Sequence, residues 1–488
     1  MNSCNIKVSG IEFPIEKVTE AVKQKRLLSI EIELSLRCNF RCPYCYVPDK
    51  AVLDNELSLD EILSVVTQAR DLGAEKIILL GGEPMLYPYL FEVIEFVRAQ
   101  NMSVEMFTNG FGITEGMAQK LSAYNVNVVL KMNTFDESVQ DELSGHKGAY
   151  TIIHDAFRNL RAAGYPSRGS FMAVSTIICA QNIGELRDIW RWLRDQNIEP
   201  YFEMITPQGN ASDNEWLNVG VDQIEDLFRD IERIDREEYG IVWSAQPPLV
   251  GNKCLRHLFS CLVTSRGDVN PCVGIPFSVG SIRKQSLKSI IEDSEVIQNL
   301  RDHSNTIKGP CSTCEKSEFC YGCRGAAYNL TGDYLASDPL CWLNKDRQEE
   351  IDFLPLPVDE YIPHTDGLKL VETLVSVSER EASAIARVDK DMLFVDDKGV
   401  LDSLAYIEMV AQSIAAMDGF AKRNQTKKME GFLLGIKNFE VYCRARAGDV
   451  LEINVHKDAK YGDFGIVSGS VKCGEKILAR GEIKVYAV

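Results

Sequence analysis

The segment Leu36-Arg-Cys-Asn-Phe-Arg-Cys-Pro-Tyr-Cys-Tyr46 places Cys38, Cys42 and Cys45 in a C-x3-C-x2-C spacing. Thiolates are the usual ligands of a cubane [4Fe-4S] cluster, which contains four irons. A loop that offers only three thiolates leaves one iron open, and an open position on a metal can bind a substrate or a cofactor. On spacing alone, a structural zinc loop with a distant fourth ligand is the alternative.

The composition restricts the protein's class and its partners. A chain of 488 residues is too long for one ordinary core, so about two to four domains are expected. The sequence shows no apolar run long enough to span a bilayer and no amino-terminal signal, so we expect a cytoplasmic protein. A net charge of -18 argues against nucleic acid or an anionic membrane as a partner. Its fifteen cysteines, in a reducing compartment, are more often metal ligands than disulfides.

Residues 28–249 alternate short apolar runs, such as Lys76-Ile-Ile-Leu-Leu80, with helical stretches. One helix is well marked, because Ser58 and Glu61 form a capping box at its start and Gly73 follows its end. Alternating βα units predict a parallel sheet or barrel with its chemistry at the carboxyl ends of the strands.

The surroundings of the cysteine loop are those of a known family. The loop follows a strand-like run, Ile30-Glu-Ile-Glu-Leu34, has the aromatic Tyr44 between its last two cysteines, and is followed one βα unit later by Gly81-Gly-Glu-Pro84. In these features the segment resembles the radical S-adenosylmethionine (radical SAM) enzymes. The resemblance implies a partial (β/α)6 TIM-like barrel and a [4Fe-4S] cluster on Cys38, Cys42 and Cys45 with SAM bound at its open iron. It also implies reductive cleavage of SAM to a 5′-deoxyadenosyl radical, which abstracts a hydrogen atom from the substrate.

The same resemblance implies which residues contact SAM. They are Tyr44, Gly81, Gly82, Glu83, Thr108, Asn109, Lys131 and Asn182. Glu83 is expected to accept a hydrogen bond from the methionyl ammonium. After the fourth strand, many family members have Ser-Leu-Asp-Gly, where this chain has Lys131 and Asn133. Lys131 either pairs with the SAM carboxylate or is a solvated strand end, and Asn182 has a SAM contact or a loop role as its alternatives.

Residues 250–350 read as cysteine-rich loop and contain eight cysteines, enough for two four-iron clusters. The pattern C-x2-C-x5-C-x2-C, preceded by Cys254-x12-Gly267-x4-Cys272, resembles the SPASM extension of radical SAM peptide-modifying enzymes. The resemblance implies two auxiliary clusters, the first on Cys254, Cys261, Cys272 and Cys323, and the second on Cys311, Cys314, Cys320 and Cys341. Two zinc sites remain an alternative, because C-x2-C pairs suit zinc as well.

A proline-marked linker, residues 351–363, precedes a last domain over residues 364–488. The segments Ile362-Pro-His364 and Ile407-Glu-Met-Val-Ala-Gln412 resemble the hot-dog fold of 3-hydroxyacyl-carrier-protein dehydratases. In those enzymes the glutamate that matches Glu408 works with a histidine from an earlier segment.

The nearest alignment puts Leu393-Phe-Val-Asp-Asp397 at the position of that histidine, and His364 belongs to a different motif. Acid–base dehydration needs a second titratable group, so we expect no dehydration in this domain. Dimerisation, binding of a carrier-tethered acyl chain and a catalytic Glu408 are the roles left open. The basic run Ala421–Lys428 suits an acidic carrier protein, although cations at a helix carboxyl end are favourable in any case.

The sequence therefore predicts an α/β radical SAM barrel, a SPASM domain and an α+β hot-dog domain, with residues 1–27 as an extension. The predicted activity is oxidative modification of a C–H position in an acyl- or peptidyl-carrier-type substrate, with SAM and three [4Fe-4S] clusters. Expected partners are a flavodoxin- or ferredoxin-type electron donor and a second copy that pairs through the hot-dog domain. One alternative is maturation of a ribosomal peptide or protein side chain, and another is a non-catalytic zinc and hot-dog binding protein.

Overall fold

The computed structural model describes residues 13–48, 51, 53–167, 169–351, 353–364, 367–377, 380–421, 431–462, 464–474 and 476–487. The chain forms two compact units. The first unit extends to residue 351 except for residues 330–333, and these four residues belong to the second unit together with the residues from 352 onward. No helix in the described ranges is long and apolar enough to cross a membrane.

A parallel sheet forms the centre of the first unit. Its strands are β1 (Ser29–Ser35), β2 (Lys76–Gly81), β3 (Ser103–Thr108), β4 (Val126–Lys131), β5 (Met172–Ile178) and β6 (Glu199–Met204). They lie in the order β6-β5-β4-β3-β2-β1, and every neighbouring pair is parallel. All seven residues of β1 are buried, as in a strand covered on both faces. The predicted partial (β/α)6 architecture is confirmed, and its strands all end at one edge.

Helices connect these strands and cover the sheet. They are α1 (Ile15–Lys23), α2 (Leu59–Asp71), α3 (Leu90–Ala99), α4 (Glu115–Ala123), α5 (Glu137–Ser144), α6 (Ala149–Ala162), α7 (Leu186–Asp195) and α8 (Val221–Ile234). Helix α2 begins at the predicted capping box, with the Ser58 side chain accepting from Glu61 N and the Glu61 side chain accepting from Ser58 N. Its apolar face, Ile62, Val65 and Val66, is fully buried, and such burial stabilises by about 1.5–3 kcal/mol per side chain.

The cysteine-rich segment, which the sequence predicted as loop, contains short helices and strands. They are α9 (Arg256–Phe259), β7 (Leu262–Val263), β8 (Asp268–Asn270), β9 (Gly280–Ser281), α10 (Leu287–Asp293), α11 (Glu295–Arg301), α12 (His303–Thr306) and α13 (Arg324–Thr331). Strand β7 pairs in parallel with β1, and β8 and β9 continue the sheet in antiparallel fashion. This pairing fixes the start of the cysteine-rich segment to the main sheet.

The second unit is an antiparallel sheet around one long helix. Its strands are β10 (Leu356–Pro357), β11 (Thr373–Val377), β12 (Glu381–Arg387), β13 (Gly431–Val441), β14 (Val450–Tyr461), β15 (Phe464–Cys473) and β16 (Lys476–Ala487), and its helix is α14 (Leu404–Ala421). The order is β10-β11-β12-β14-β15-β16-β13. Gly469 allows β15 to approach α14, because a Cβ there would lie 2.5 Å from a methyl carbon of Val410. The predicted hot-dog arrangement of a buried helix and a curved sheet is confirmed.

Residues 330–333 are held within the second unit by local contacts. Leu354 N donates to Leu330 O at 3.0 Å. A Cβ on Gly332 would lie 2.5 Å from a methyl carbon of Leu354 and 3.2 Å from Val377 O. The chain therefore enters the second unit, returns to the first for residues 334–351, and then enters the second again.

Candidate functional site

The cysteine loop leaves the carboxyl end of β1 and is held there by polar contacts. The Glu56 carboxylate accepts from Ser35 Oγ at 2.9 Å and from Leu36 N at 3.0 Å. Within the loop, Arg41 Nη1 donates to the carbonyl oxygens of Cys38 and Phe40 at 2.9 and 2.8 Å. The hydrogen bonds of Glu56 and Arg41 therefore fix the conformation of the loop.

Two glycines bring the end of β2 against this loop. A Cβ on Gly82 would lie 2.1 Å from Arg37 O, and one on Gly81, whose φ is +124°, would lie 2.4 Å from Ser35 O. No side chain fits at either position. The Gly81-Gly82 pair thus permits the close approach of two backbone oxygens, one from Ser35 at the end of β1 and one from Arg37 in the cysteine loop.

The thiols of Cys38, Cys42 and Cys45 line a cavity of about 340 Å³. Asn109 Nδ2 lies 3.7 Å from Cys38 Sγ, and Phe40 N lies 3.4 Å from the same atom. Burial raises the pKa of the Cys42 thiol to about 12. Because a buried thiol of this kind stays protonated at neutral pH, a thiolate there requires a bound cation, which is the charge that iron supplies.

Six of the eight predicted SAM contacts line the same cavity. They are Tyr44, Gly81, Gly82, Thr108, Asn109 and Lys131. Asn133 Nδ2 donates to Tyr44 Oη at 2.8 Å and fixes this ring. Lys131 Nζ lies 5.1 Å from the centre of the Tyr44 ring and donates to Ser175 Oγ at 3.1 Å. The structure thus places the Lys131 ammonium at the cavity.

Glu83 and Asn182 are not among the described residues that line this cavity. The Glu83 carboxylate accepts from Thr108 Oγ1 and Asn109 N, both at 2.7 Å, and burial raises its pKa to about 7. Asn182 Nδ2 donates to Asn133 O and Ile177 O at 2.9 and 2.8 Å. Both side chains hold neighbouring loops in place, and their contact with SAM stays a prediction.

Three cysteines of the SPASM segment, Cys254, Cys272 and Cys323, line the same cavity as the amino-terminal loop. Cys323 precedes α13, and its Sγ accepts from Ala326 N at 3.4 Å. Cys261 is buried in the apolar core and is absent from the described lining of the cavity. Its place in the first auxiliary set therefore stays a prediction.

The remaining four cysteines, Cys311, Cys314, Cys320 and Cys341, belong to the segment that follows. Asn344 Nδ2 donates to Cys311 Sγ at 3.3 Å, and Gly322 N donates to Cys320 Sγ at 3.4 Å. Burial raises the pKa of Cys341, and the nearby Asp338, Cys311 and Cys320 act in the same direction. Cys311, Cys320 and Cys341 therefore lie near one another, and the binding of one cluster by these three thiols and Cys314 stays a prediction.

The donor chemistry suits iron–sulfur clusters. Within the described ranges, no three His, Cys, Asp or Glu side chains converge tightly enough for a single metal ion. The cavity beside Cys254, Cys272 and Cys323 is also lined by Arg324 and His257. Among the described residues, Arg324 Nε and Nη2 are buried donors without a partner, and His257 Nδ1 is a buried ring nitrogen without one. Such donors suit an anionic sulfur-rich group.

The sequence did not indicate several polar residues of the cavity, and Arg256 and Glu203 are two of them. Arg256 donates to Glu31 Oε1 and to Tyr201 Oη, both at 2.6 Å. Glu203 Oε1 lies 3.5 Å from Lys131 Nζ and accepts from Ser175 Oγ at 3.3 Å. The available signal was a polar residue near the carboxyl end of a buried parallel strand, since Glu203 lies near the end of β6.

In the second unit, the expectation that Glu408 has no histidine partner is wrong. His364 Nε2 lies 3.4 Å from Glu408 Oε1. Gln412 Nε2 donates to the same carboxylate oxygen at 2.9 Å and to Leu368 O at 2.7 Å. Gly419 lets the segment that carries His364 pass close to α14, because a Cβ there would lie 2.1 Å from Tyr361 O. The basic run 422–428 lies outside the described residues.

Comparison with known families agrees with this geometry. Residues 32–193 match the model of the radical SAM superfamily, residues 254–315 match the SPASM iron-sulfur cluster-binding domain, and residues 356–488 match the ApeP-like family of the ApeP dehydratase. The chain therefore contains a radical SAM domain, a SPASM domain and an ApeP-like domain, and it is an enzyme with radical SAM chemistry. It therefore uses SAM and iron–sulfur clusters, and the alternative of a non-catalytic zinc protein is set aside.

Several individual proteins resemble the first unit. The AdoMet-dependent heme synthase of Methanosarcina barkeri is 28% identical over 336 residues, which are 63% of this chain and 94% of the relative. The structure of Streptococcus suis SuiB bound to S-adenosylmethionine is 15% identical, with a TM-score of 0.51 over 67% of this chain and 81% of SuiB. That of anSMEcpe with bound AdoMet is 16% identical, with a TM-score of 0.51 over 64% of this chain and 90% of the other. The two structures share the fold with this radical SAM enzyme.

The close contact at Gly82 can be tested by substitution. In Gly82→Ala the new Cβ meets Arg37 O at 2.1 Å, and we expect the displaced cysteine loop to lose about four irons per chain. Iron analysis and electron paramagnetic resonance (EPR) of anaerobically reconstituted protein measure this loss. Gly116→Ala in α4 is the matched control, because its Cβ would meet nothing within 4 Å. Equal iron contents in the two variants would contradict the assignment.

Proposed function

We propose that this radical SAM enzyme oxidatively modifies a C–H position of an acyl- or peptidyl-carrier-type substrate. The observation that supports this most directly is the single cavity lined both by Cys38, Cys42 and Cys45 and by cysteines of the SPASM segment. When bound, SAM supplies a 5′-deoxyadenosyl radical that removes a hydrogen atom from the substrate. An auxiliary cluster would supply the acceptor for one electron. Loss of a hydrogen atom, then of one electron and one proton, is a net two-electron oxidation of the substrate.

In this proposal the chain holds three [4Fe-4S] clusters. Cys38, Cys42 and Cys45 hold one and leave its fourth iron open. The first auxiliary cluster is held by Cys254, Cys261, Cys272 and Cys323, and the second by Cys311, Cys314, Cys320 and Cys341. The described cysteines are all free thiols, which supports a reducing cytoplasmic location and a low-potential donor of the flavodoxin or ferredoxin type.

The chain's own residues orient the reactants and move the proton. Tyr44, fixed by Asn133, and Lys131 present a ring and an ammonium where SAM would lie, and Lys131 would pair with its carboxylate. Glu203 Oε1, held beside Lys131 and Ser175, is the carboxylate oxygen that we infer receives the substrate proton. Apolar side chains such as Phe107 in the same lining would keep water from the radical.

The substrate class follows from the joined domains. An ApeP-like domain on the same chain favours a carrier-tethered acyl or peptidyl group, and the mainly apolar cavity of about 340 Å³ suits such a chain. The rival is a ribosomal peptide or protein side chain, since the SuiB fold also occurs in a structure described as bound to precursor peptide SuiA. The rival shares the radical chemistry and differs in what enters the cavity.

Mass spectrometry distinguishes these substrates. Reconstituted enzyme, SAM and reductant are incubated with acyl-carrier proteins and with peptides, and loss of two hydrogens from the carrier-tethered chain is expected.

In Glu203→Gln the ratio of product to 5′-deoxyadenosine should fall by about 10²-fold or more, because the proton acceptor is lost. Glu92→Gln, an exposed change on α3, is the control. An unchanged ratio of product to 5′-deoxyadenosine in Glu203→Gln would exclude Glu203 as the proton acceptor. Modification of peptides but not of carrier proteins would favour a ribosomal peptide or protein side chain as the substrate.

A second candidate activity is supported by the His364–Glu408 pair. His364 and Glu408, 3.4 Å apart, supply the two titratable groups that acid–base dehydration needs. We therefore propose that the ApeP-like domain dehydrates a 3-hydroxyacyl thioester. One group takes the α-proton while the other protonates the departing β-hydroxyl, which leaves as water. Gln412 holds the carboxylate through its hydrogen bond to Glu408 Oε1.

Substitution of either partner should stop this dehydration. His364→Ala and Glu408→Gln should each slow release of water from a 3-hydroxyacyl thioester by about 10²-fold or more, since each removes an acid–base group. The absorbance of the enoyl product measures the rate. His456→Ala removes the other described histidine of the second unit, which lies on its exposed outer sheet face, and serves as control. Full dehydration activity in both His364→Ala and Glu408→Gln would contradict this proposal and would leave binding or dimerisation as the role of the domain.

We further propose that the chain forms a homodimer through strand β13. This strand is one of the two edges of the described sheet and pairs with β16 alone. Its side chains Phe432, Leu434 and Ile436 are 53%, 53% and 51% exposed. An apolar edge strand with unpaired backbone groups readily pairs with another strand. A second copy fits, because an edge that pairs antiparallel with itself about a two-fold axis closes the assembly.

The solution mass of the protein tests this pairing. Leu434→Lys combined with Ile436→Lys places two charges in the interface, and we expect the mass by light scattering to fall to that of one chain. Val242→Lys adds a charge at a 75% exposed apolar residue of the first unit and should leave the dimer intact. A monomeric wild-type protein, or a dimer that survives the double substitution, would contradict pairing through β13.

A further inference from the structure

Arg324, at the start of α13, is a buried cation with unused hydrogen-bond donors. Its residue is 1% exposed. Nη1 donates to the carbonyl oxygens of Tyr334 and Ala336 at 3.1 and 2.5 Å. Nε and Nη2 are buried and have no hydrogen-bond partner among the described residues. The main-chain contacts fix the guanidinium in position and leave two of its donor nitrogens available.

No carboxylate in the described part of the chain forms an ion pair with Arg324. The neighbouring Asp338 is fully buried; burial raises the pKa of its carboxyl and the Arg324 charge lowers it, so the two groups interact at a distance. The two Asp338 oxygens accept from Cys323 N at 2.7 Å and from Leu340 N at 3.0 Å, and not from the guanidinium. A buried guanidinium with two donor nitrogens left unbonded is unfavourable, so an anionic acceptor beside it is expected. The fold therefore calls for an anionic group next to this guanidinium.

The position of the guanidinium identifies that group. Arg324 directly follows Cys323 and lines the cavity together with Cys254 and Cys272. A Cβ on Gly322 would lie 3.0 Å from Arg324 Nη2, so this nitrogen lies against the short loop between Cys320 and Cys323. A four-iron cluster with thiolate ligands is anionic, and sulfur atoms accept hydrogen bonds from buried N–H groups.

We propose that Arg324 donates its Nε–H and Nη2–H groups to the sulfur atoms of the first auxiliary cluster and raises the reduction potential of that cluster. The inference rests on the proposed assignment of Cys254, Cys261, Cys272 and Cys323 to the cluster. Reduction adds one negative charge. A fixed buried cation and hydrogen bonds to sulfur both stabilise the more negative state, and in a poorly screened interior this effect is large.

Redox titration followed by EPR tests the proposal. A background that lacks Cys38, Cys42 and Cys45 leaves only the auxiliary clusters. In this background, Arg324→Met should lower the midpoint potential of one cluster. At a fixed potential the ratio of reduced to oxidised cluster should fall about tenfold or more, and a tenfold change corresponds to about 59 mV for one electron.

Arg324→Lys keeps the charge and loses the planar donors, so a smaller fall is expected. Arg229→Met, on the exposed surface of α8, removes the same charge elsewhere and should leave both potentials unchanged. Unchanged potentials in fully iron-loaded Arg324→Met would overturn the proposal.

A second measurement does not depend on the Arg324→Met variant. With 15N-labelled arginine, pulsed EPR of the reduced protein should detect a nitrogen coupled to one auxiliary cluster, and Arg324→Lys should abolish that coupling. If Arg324→Met does not load iron, this measurement decides, and absence of the coupling overturns the proposal. Cys323→Ala tests the ligand assignment separately. Full retention of iron in Cys323→Ala would refute the assignment, whereas a loss of about four irons with no arginine coupling would refute the role of Arg324 alone.

Discussion

The site depends first on the contact between the end of β2 and the cysteine loop. Gly81 and Gly82 pack against the carbonyl oxygens of Ser35 and Arg37, where any Cβ would overlap them. The parallel register of β1 and β2 brings these backbones side by side at the carboxyl edge of the sheet. The three thiols therefore face one cavity because two neighbouring strands end together and one of them has no side chains there.

Charge is the second constraint. The chain carries a net charge of -18, yet the cavity is bordered by the cations Lys131, Arg256 and Arg324. Burial raises the pKa of the thiols at the cavity, with Cys42 and Cys323 both at about 12. Burial disfavours the thiolate form of these cysteines, and the buried Arg324 guanidinium has no ion-pair partner among the described residues. The irons of a bound iron–sulfur group would stabilise the thiolates, and its net negative charge would stabilise the guanidinium. The metal centres thus complete the electrostatics of the first unit.

Local signals in the sequence predicted much of this structure. The capping box at Ser58, the alternation of strands and helices, and the cysteine spacings depend on neighbouring residues, and the fold confirms the first two. Contacts between residues far apart in the sequence were less predictable. The approach of His364 to Glu408 spans 44 positions and depends on a tight passage at Gly419, which no periodicity reveals. Likewise Glu83 is recognisable as a motif, but its hydrogen bonds to Thr108 and Asn109 arise only when β2 and β3 lie side by side.

The double passage of the chain between its two compact units has a practical meaning. Residues 330–333 pack with Leu354 and Val377, whereas residues 334–351 belong with the first unit. A protein that ended at residue 351 would keep the four inner residues and lose the side chains that cover them. The second unit cannot be released whole by a single cut, because a cut after residue 351 leaves residues 330–333 with the first unit. An isolated ApeP-like portion would therefore lack residues 330–333, which pack with Leu354 and Val377.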